Sequence, residues 1–298
     1  MNRINFSKFF KLANIFSALA IIISITFLFI KGLNYGVDFK GGTLLEIRIS
    51  DNNIKIQDIR SSLRTADLGD VSVKRFGQEG DFLVKFEKNS NKNEKFISEL
   101  KTYISGKIGS DINFRRVESV GPKVSSELLK QGITAIALSL AAMLFYIWVR
   151  FEWQFSLGSI IALFHDVIIT LGIFSILSLE VNLSIVAAVL TIVGYSMNDT
   201  VVIYDRIREN LLKYSKINTN EIANISVNET LSRTVITSLT TLLALGSIFI
   251  LGGEILKGFS FAMILGVIIG TYSSIFVASP VLNYFKVTQK TLLKEDEV

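Results

Sequence analysis

An acidic residue stands inside a stretch otherwise suited to lipid. Residues Val193–Asn210 read VGYSMNDTVVIYDRIREN. The stretch begins within an apolar run long enough to cross a bilayer, places Asn198 and Asp199 in that run, and ends in a cluster of charge. An ionised carboxylate at membrane depth costs about 3 kcal/mol or more, so Asp199 needs a partner, a proton or water.

Five more apolar runs accompany this one. The six are Leu12–Ile30, Gly132–Val149, Phe155–Leu179, Leu183–Ile203, Thr234–Leu251 and Phe259–Leu282. Each has about the twenty residues that cross roughly 30 Å of hydrocarbon. Half of the 298 residues are hydrophobic and only two are proline, which suits long uninterrupted helices. The first run is too long for the apolar core of a signal peptide, and Phe29-Ile30-Lys31 offers no small-residue cleavage site. It reads as a retained anchor. The absence of cysteine excludes disulfides and thiolate-bound metals.

Short loops set the orientation. Arg3, Lys8 and Lys11 precede the first span, Arg150 separates spans two and three, and Arg206, Arg208, Lys213, Lys216 and Arg233 lie between spans four and five. Lys286, Lys290 and Lys294 follow the sixth. With six spans these fall on one side, which the positive-inside rule assigns to the cytoplasm together with both termini. The net charge of +5 belongs to that asymmetry, and no nucleic-acid partner is expected.

The long stretch after the first span is then extracytoplasmic. Thr43–Ile49 alternates, with Leu45, Ile47 and Ile49 on one face, and predicts a strand. Asn53–Ala66 carries Ile56, Ile59 and Leu63 at helical spacing, and Asn93–Lys107 carries Phe96, Leu100 and Ile104 likewise. Val71–Phe76 and Asp81–Glu87 read as strands around a Gly77-Gln78-Glu79-Gly80 turn, and Ile112–Val120 as a last strand. The order βαββαβ suggests a small ferredoxin-like sandwich, with a differently wired α+β module as the alternative. The expected fold is therefore a polytopic six-helix membrane protein with a small α+β extracytoplasmic domain. Its parts are the N-terminus and first span (1–33), that domain (34–122), a five-helix bundle (123–285) with a cytoplasmic loop at 206–229, and a cytoplasmic tail (286–298). Ser226–Glu229 resembles a capping box opening the fifth span. Ala262, Gly266 and Gly270 allow close helix approach in the sixth.

Depth narrows the candidate residues. Asp199 lies sixteen residues past Leu183, roughly 24 Å along a helix, in the inner half of the membrane. Arg233 enters the fifth span from the same side, so the two can meet, and Arg206 shares a helix face with Asp199. An Asp–Arg pair in low dielectric holds the carboxylate ionised, and a proton can displace the arginine, coupling protonation to helix movement. As a purely structural residue, Asp199 would instead fix helix register through Asn198 or Thr200. Arg233 alone also reads as a snorkelling cation, and Arg206 and Arg208 as orientation charges. Asp166 lies roughly 16 Å into span three, near the midplane. His165 and Asp166 are adjacent and do not share a face, so at most one of them points into a given pathway, and Asp166 is favoured. The glycines of Tyr35–Thr43 resemble a phosphate cradle, but no Gly-Lys-Ser/Thr follows, and a turn launching the first strand is the better physical reading. No metal-ligand spacing, cofactor motif or hydrolytic constellation is evident.

Four motifs then coincide with a family. Tyr35–Thr43 (YGVDFKGGT), Phe164-His165-Asp166, Val193–Asn210 and Leu231-Ser232-Arg233-Thr234 resemble the SecD/SecF family of bacterial protein-export membrane subunits over nearly the whole chain. The resemblance implies a stand-alone subunit that pairs with SecD. The pair would use the proton-motive force to draw polypeptides outward after the SecA motor and the SecYEG channel, with YajC as a further possible neighbour. It implies that the family's essential intramembrane charges fall on Asp199 and Arg233, with Asn198 beside them and Asp166 nearby. Gly36, Asp38, Gly41 and Gly42 would be a family signature. It implies no cofactor and no hydrolytic active site. A half-transporter of the same superfamily, moving lipids or small amphiphiles, is the alternative, and a scaffold that only organises partner spans is a third reading.

Overall fold

The computed structural model describes residues 4–50, 54–64, 66, 68–75, 79–87, 94–108, 112–214 and 217–293. Of the residues named above, Arg3, Asn53, Phe76, Gly77, Gln78, Asn93, Lys216 and Lys294 lie outside them. The chain divides into two compact units, Met1–Asn34 with Thr134–Val298, and Tyr35–Ile133.

The first unit is helical. Six helices are long and apolar enough to span a membrane, and are called spans one to six: Ser7–Ile30, Pro122–Arg150, Trp153–Ile176, Leu183–Lys213, Thr219–Leu251 and Leu256–Tyr284. Spans three, four and six are the most buried in the bundle. Span two starts at Pro122, well before the apolar run at Gly132, so the boundary between the units falls inside this helix. The expected loop at 206–229 is mostly helix. Span four continues to Lys213, and span five starts at Thr219, capped by Asn218, whose side chain accepts from the Glu221 N–H at 2.9 Å. Ser226–Glu229 is therefore no cap. Its residues lie two turns inside the helix, where polar side chains bond across to span four instead.

Glycines set the closest approaches between spans. A Cβ at Gly266 would lie 2.2 Å from Ile192, and one at Gly270 would lie 2.9 Å from the Ser196 Cβ. Spans six and four thus touch nearly backbone to backbone, as the small-residue spacing in span six suggested. Gly158 of span three makes room for the Tyr204 hydroxyl, 2.2 Å from where its Cβ would be. Tyr204, fully buried, donates there to the Ala278 carbonyl at 3.0 Å. That carbonyl closes a π-helical turn, Ser274–Ala278, just ahead of Pro280.

The second unit is a four-stranded antiparallel sheet with two helices on one face. Its elements are β1 (Gly42–Ile49), α1 (Ile56–Arg64), β2 (Val71–Arg75), β3 (Asp81–Phe86), α2 (Glu94–Ile108) and β4 (Ile112–Val120). The strands lie in the order β2-β3-β1-β4. Alternation explains the core. Leu45, Ile47 and Ile49 are buried against Ile59 and Leu63 of α1 and Leu100 and Ile104 of α2. On the other face Arg48 lies opposite Asp81 in register, and its Nε approaches the carboxylate to 2.6 Å. Arg115 approaches the same group at 3.4 Å.

The Tyr35–Thr43 stretch is a launching turn. Gly36 precedes a single helical turn, Val37–Lys40, and Gly41 and Gly42 then adopt φ of +81° and +115°. A Cβ at Gly42 would sit 2.6 Å from the Phe86 carbonyl oxygen. Both the backbone and the space require glycine. Gly42→Ala should destabilise the small domain by about 1–3 kcal/mol, readable as earlier thermal unfolding or faster proteolysis of that domain.

Lys85 on β3 carries a second prediction. Burial pushes its ammonium down to about 8; Lys74 and Lys40 add to that and Asp38 offsets part of it. Below its unfolded value of 10.5, the folded domain then binds fewer protons than the unfolded chain. Stability should rise as pH increases through that window. Thermal unfolding on either side of it should show the rise, and Lys85→Met should flatten it.

Candidate functional site

Two polar networks lie back to back inside the bundle, sharing spans four and six. The first is centred on Asp166, which is fully buried. Its Oδ1 lies 2.8 Å from the Nδ1 of His165, and its Oδ2 accepts from Ser196 Oγ at 2.5 Å and Ser273 Oγ at 2.8 Å. His165, also buried, faces Ser17 of span one through Nε2 at 3.2 Å and stacks on Tyr272. Tyr272 lies 3.0 Å from Ser17 and donates to the Ala13 carbonyl at 2.8 Å. Spans three, four and six therefore meet at one carboxylate, and span one joins through His165 and Tyr272. The expectation that only one of His165 and Asp166 would point into a pathway is corrected: the carboxylate reaches back to the preceding ring, and both join one network. Gly270 makes this possible, since only a glycine there lets span six bring Ser273 alongside Ser196.

The second network surrounds Asp199, which is 3% exposed. Thr271 of span six is placed to hydrogen-bond its carboxyl, and the Thr271 and Ser238 hydroxyls are 2.8 Å apart. Tyr195 donates to Thr241 of span five at 3.3 Å. The other carboxyl oxygen, Oδ2, is buried and has no hydrogen-bond partner among the described residues. The two aspartates differ sharply: Asp166 has three partners and Asp199 keeps an oxygen bare.

The expected pairings of Asp199 with arginine are not formed. Arg233 is exposed and influences Asp199 through space, and no ion pair joins them among the described residues. Arg206, expected on the same face, turns away to Glu229 at 2.6 Å and Glu209 at 2.5 Å, because those carboxylates lie in the wetter layer at its own level. Asn198 is exposed, one helical step round from Asp199, and joins neither network. A charged layer closes that end of the bundle. Arg150 pairs with Asp205 at 2.8 Å, Arg208 approaches buried Glu152 at 3.1 Å, and buried Asn210 donates to Ser226 and Glu229 at 2.9 and 2.8 Å. Gly36, Asp38, Gly41 and Gly42 belong to the small domain and shape its first turn.

Sequence reasoning missed Ser17, Ser196, Ser273, Tyr272, Thr271 and Ser238. Isolated hydroxyls are common in apolar helices and carry no signal until the helix faces are known. The clue was Gly270, four residues from Gly266, which marks where span six touches span four.

A bundle of six helices long and apolar enough to span a membrane, holding two carboxylates inside it, defines a multi-pass membrane protein. Known proteins specify it further. Residues 100–288 match the family model "Protein export membrane protein SecD/SecF, C-terminal", and residues 26–52 match the "SecD/SecF GG Motif". The chain is 45% identical to the protein translocase subunit SecF of Rickettsia rickettsii over 94% of its own length and 91% of the relative's. It is 45% identical to that of Rickettsia typhi over 95% and 93%. The crystal structure of SecDF, a translocon-associated membrane protein from Thermus thermophilus, superposes with a TM-score of 0.86 at 36% identity, covering 95% of this chain. A second SecDF structure, in a super-membrane-facing form, gives 0.71 at 33% identity over all of it. The chain spans 39% and 40% of those two solved chains. The chain belongs to the SecD/SecF family of protein-export membrane proteins, and its full-length relatives are SecF translocase subunits.

The contrast between the aspartates is testable. Asp166→Leu leaves three donors or acceptors buried without their partner and should cost about 1–3 kcal/mol for each unsatisfied group. Asp199→Leu removes a poorly satisfied carboxylate and should be neutral or stabilising. Denaturant unfolding in detergent reads both; equal losses would erase the distinction.

Proposed function

We propose that the chain is the SecF half of a proton-driven pair with SecD, working beside the SecYEG channel, with YajC as a neighbour, on polypeptides already crossing the bacterial inner membrane. Asp199 is the proton carrier. The observation that carries this reading is its buried, unpartnered Oδ2, since a carboxylate so placed gains most from accepting a proton. Arg233 is the countercharge that holds Asp199 ionised in one state and releases it in the other. Both Arg233 and Asn198 are exposed, which fits a route whose second wall belongs to the partner. Asp166 serves the same route as its fixed frame, tying four spans together around the moving charge.

In this reading both termini and the charged layer are cytoplasmic, following the positive-inside rule. The small domain is extracytoplasmic and ferredoxin-like, in keeping with its βαββαβ order and β2-β3-β1-β4 sheet. Protonation of Asp199 shifts the balance between two packings of the bundle, and the domain transmits the change to the emerging polypeptide.

Asp199→Asn keeps the shape and removes the titratable group. Co-reconstituted with SecD, it should abolish proton flux and proton-dependent export while leaving assembly with SecD intact. Undiminished proton-dependent export by this variant would sink the reading.

A further inference from the structure

The network around Asp166 has six side-chain contacts and, with a neutral imidazole, five hydrogens to fill them. His165 Nδ1 lies 2.8 Å from Asp166 Oδ1, and Nε2 lies 3.2 Å from Ser17 Oγ. Ser17 Oγ lies 3.0 Å from the Tyr272 hydroxyl, which donates to the Ala13 carbonyl at 2.8 Å. Ser196 and Ser273 donate to Asp166 Oδ2 at 2.5 and 2.8 Å. Ser273 also lies 3.1 Å from the Gly270 carbonyl of its own helix, a back-bond that shares the same hydrogen. Four hydroxyls bring one hydrogen each, and a neutral imidazole brings one more.

The missing hydrogen has a definite place. Tyr272 uses its own on Ala13, so Ser17 donates to Tyr272 and has nothing left for Nε2. Nε2 is then the donor to Ser17. On the other side of the ring, Nδ1 donates to a carboxylate that already accepts two hydroxyls through Oδ2. The 2.5 Å contact from Ser196 and the 2.8 Å contact from Nδ1 have the lengths of hydrogen bonds to an ionised carboxylate. A ring that donates from both nitrogens is an imidazolium. Net charge points the same way. The pair is faced by Ser17 of span one, Ser196 of span four, and Tyr272 and Ser273 of span six, and among the described residues no lysine, arginine or second carboxylate pairs with either group. Beside a neutral ring, the buried carboxylate would be a lone charge; beside an imidazolium, the pair is neutral. The ring stacks on Tyr272 with centroids 6.0 Å apart, and an aromatic face favours a cation.

We propose that His165 and Asp166 form a resident proton site, an imidazolium–carboxylate pair whose proton fastens span one to the bundle. The site is separate from Asp199 and does not rest on the reading of that residue. The proton on Nε2 turns the Ser17 hydrogen toward Tyr272, so spans one and six are joined in both directions, through Ser17 and through Ala13. When the Nε2–H bond breaks and the proton leaves to water, the freed lone pair on Nε2 accepts from Ser17. The contact between Ser17 and Tyr272 then has no hydrogen, and the pair carries one negative charge.

The chain holds one histidine, so isotope-labelled histidine gives a single imidazole in solid-state nitrogen NMR. The labelled chain, purified on a histidine-free tag, is co-reconstituted with unlabelled SecD in liposomes. Near neutral pH both ring nitrogens should resonate as protonated. An unprotonated ring nitrogen there overturns the proposal. Tyr272→Phe keeps the stacked ring and removes the shortage, since every remaining contact has a hydrogen with a neutral imidazole. The ring should then hold its proton about tenfold more weakly, and the unprotonated signal should appear about one pH unit lower than in wild type, the equivalent of one hydrogen bond. Ser17→Ala removes the same shortage from span one and should shift the titration likewise. An unchanged titration in either variant overturns the hydrogen count on which the assignment stands.

Discussion

The cost of an unsatisfied polar group in hydrocarbon governs this protein. Inside the bundle that cost is met in full at Asp166 and only in part at Asp199. Water outside the membrane can solvate a charge wherever it lies; within a bundle a side chain, a proton or enclosed water must. The satisfied carboxylate therefore acts as a fixture shared by three helices, with a fourth attached through His165. The bare one keeps a buried oxygen without a hydrogen-bond partner among the described residues. The same physical rule, applied on two faces of one helix pair, leaves one carboxylate satisfied and the other not.

Close helix contact is what lets both sites exist. Serine and threonine hydroxyls are short, so they meet a shared carboxylate only if the backbones nearly touch. Gly266 and Gly270 supply that approach between spans four and six, and Gly158 supplies it for Tyr204. Span four then shows Ser196 to one network and Asp199 to the other. Span six does the same with Ser273 and Thr271. Two neighbouring networks on the same pair of helices arise from helical rotation alone.

Much of this was legible in the residues. Runs of apolar residues marked the spans, and alternation in Thr43–Ile49 marked β1 with the correct buried face. Asp199 and Asp166 stood out because lipid makes carboxylates conspicuous. The failures have physical reasons. Helices do not stop where hydrophobicity stops, so span four ran on to Lys213 and span five began at Thr219, through residues whose polarity suggested a loop. Serines gave no warning, since a hydroxyl can bond its own helix's carbonyl and sit quietly in any span. Depth says nothing of azimuth, so Arg233, level with Asp199's end of the bundle, stays exposed, while Arg206, read as an orientation charge, pairs with Glu229 and Glu209.

The glycine ridge has a mechanical meaning. Where Gly266 and Gly270 lie against the Ile192 side chain and Ser196, span six has no side chain of its own to yield. Sliding one past the other would drive backbone into Cβ. Spans four and six thus resist sliding along this ridge and are held together as one unit.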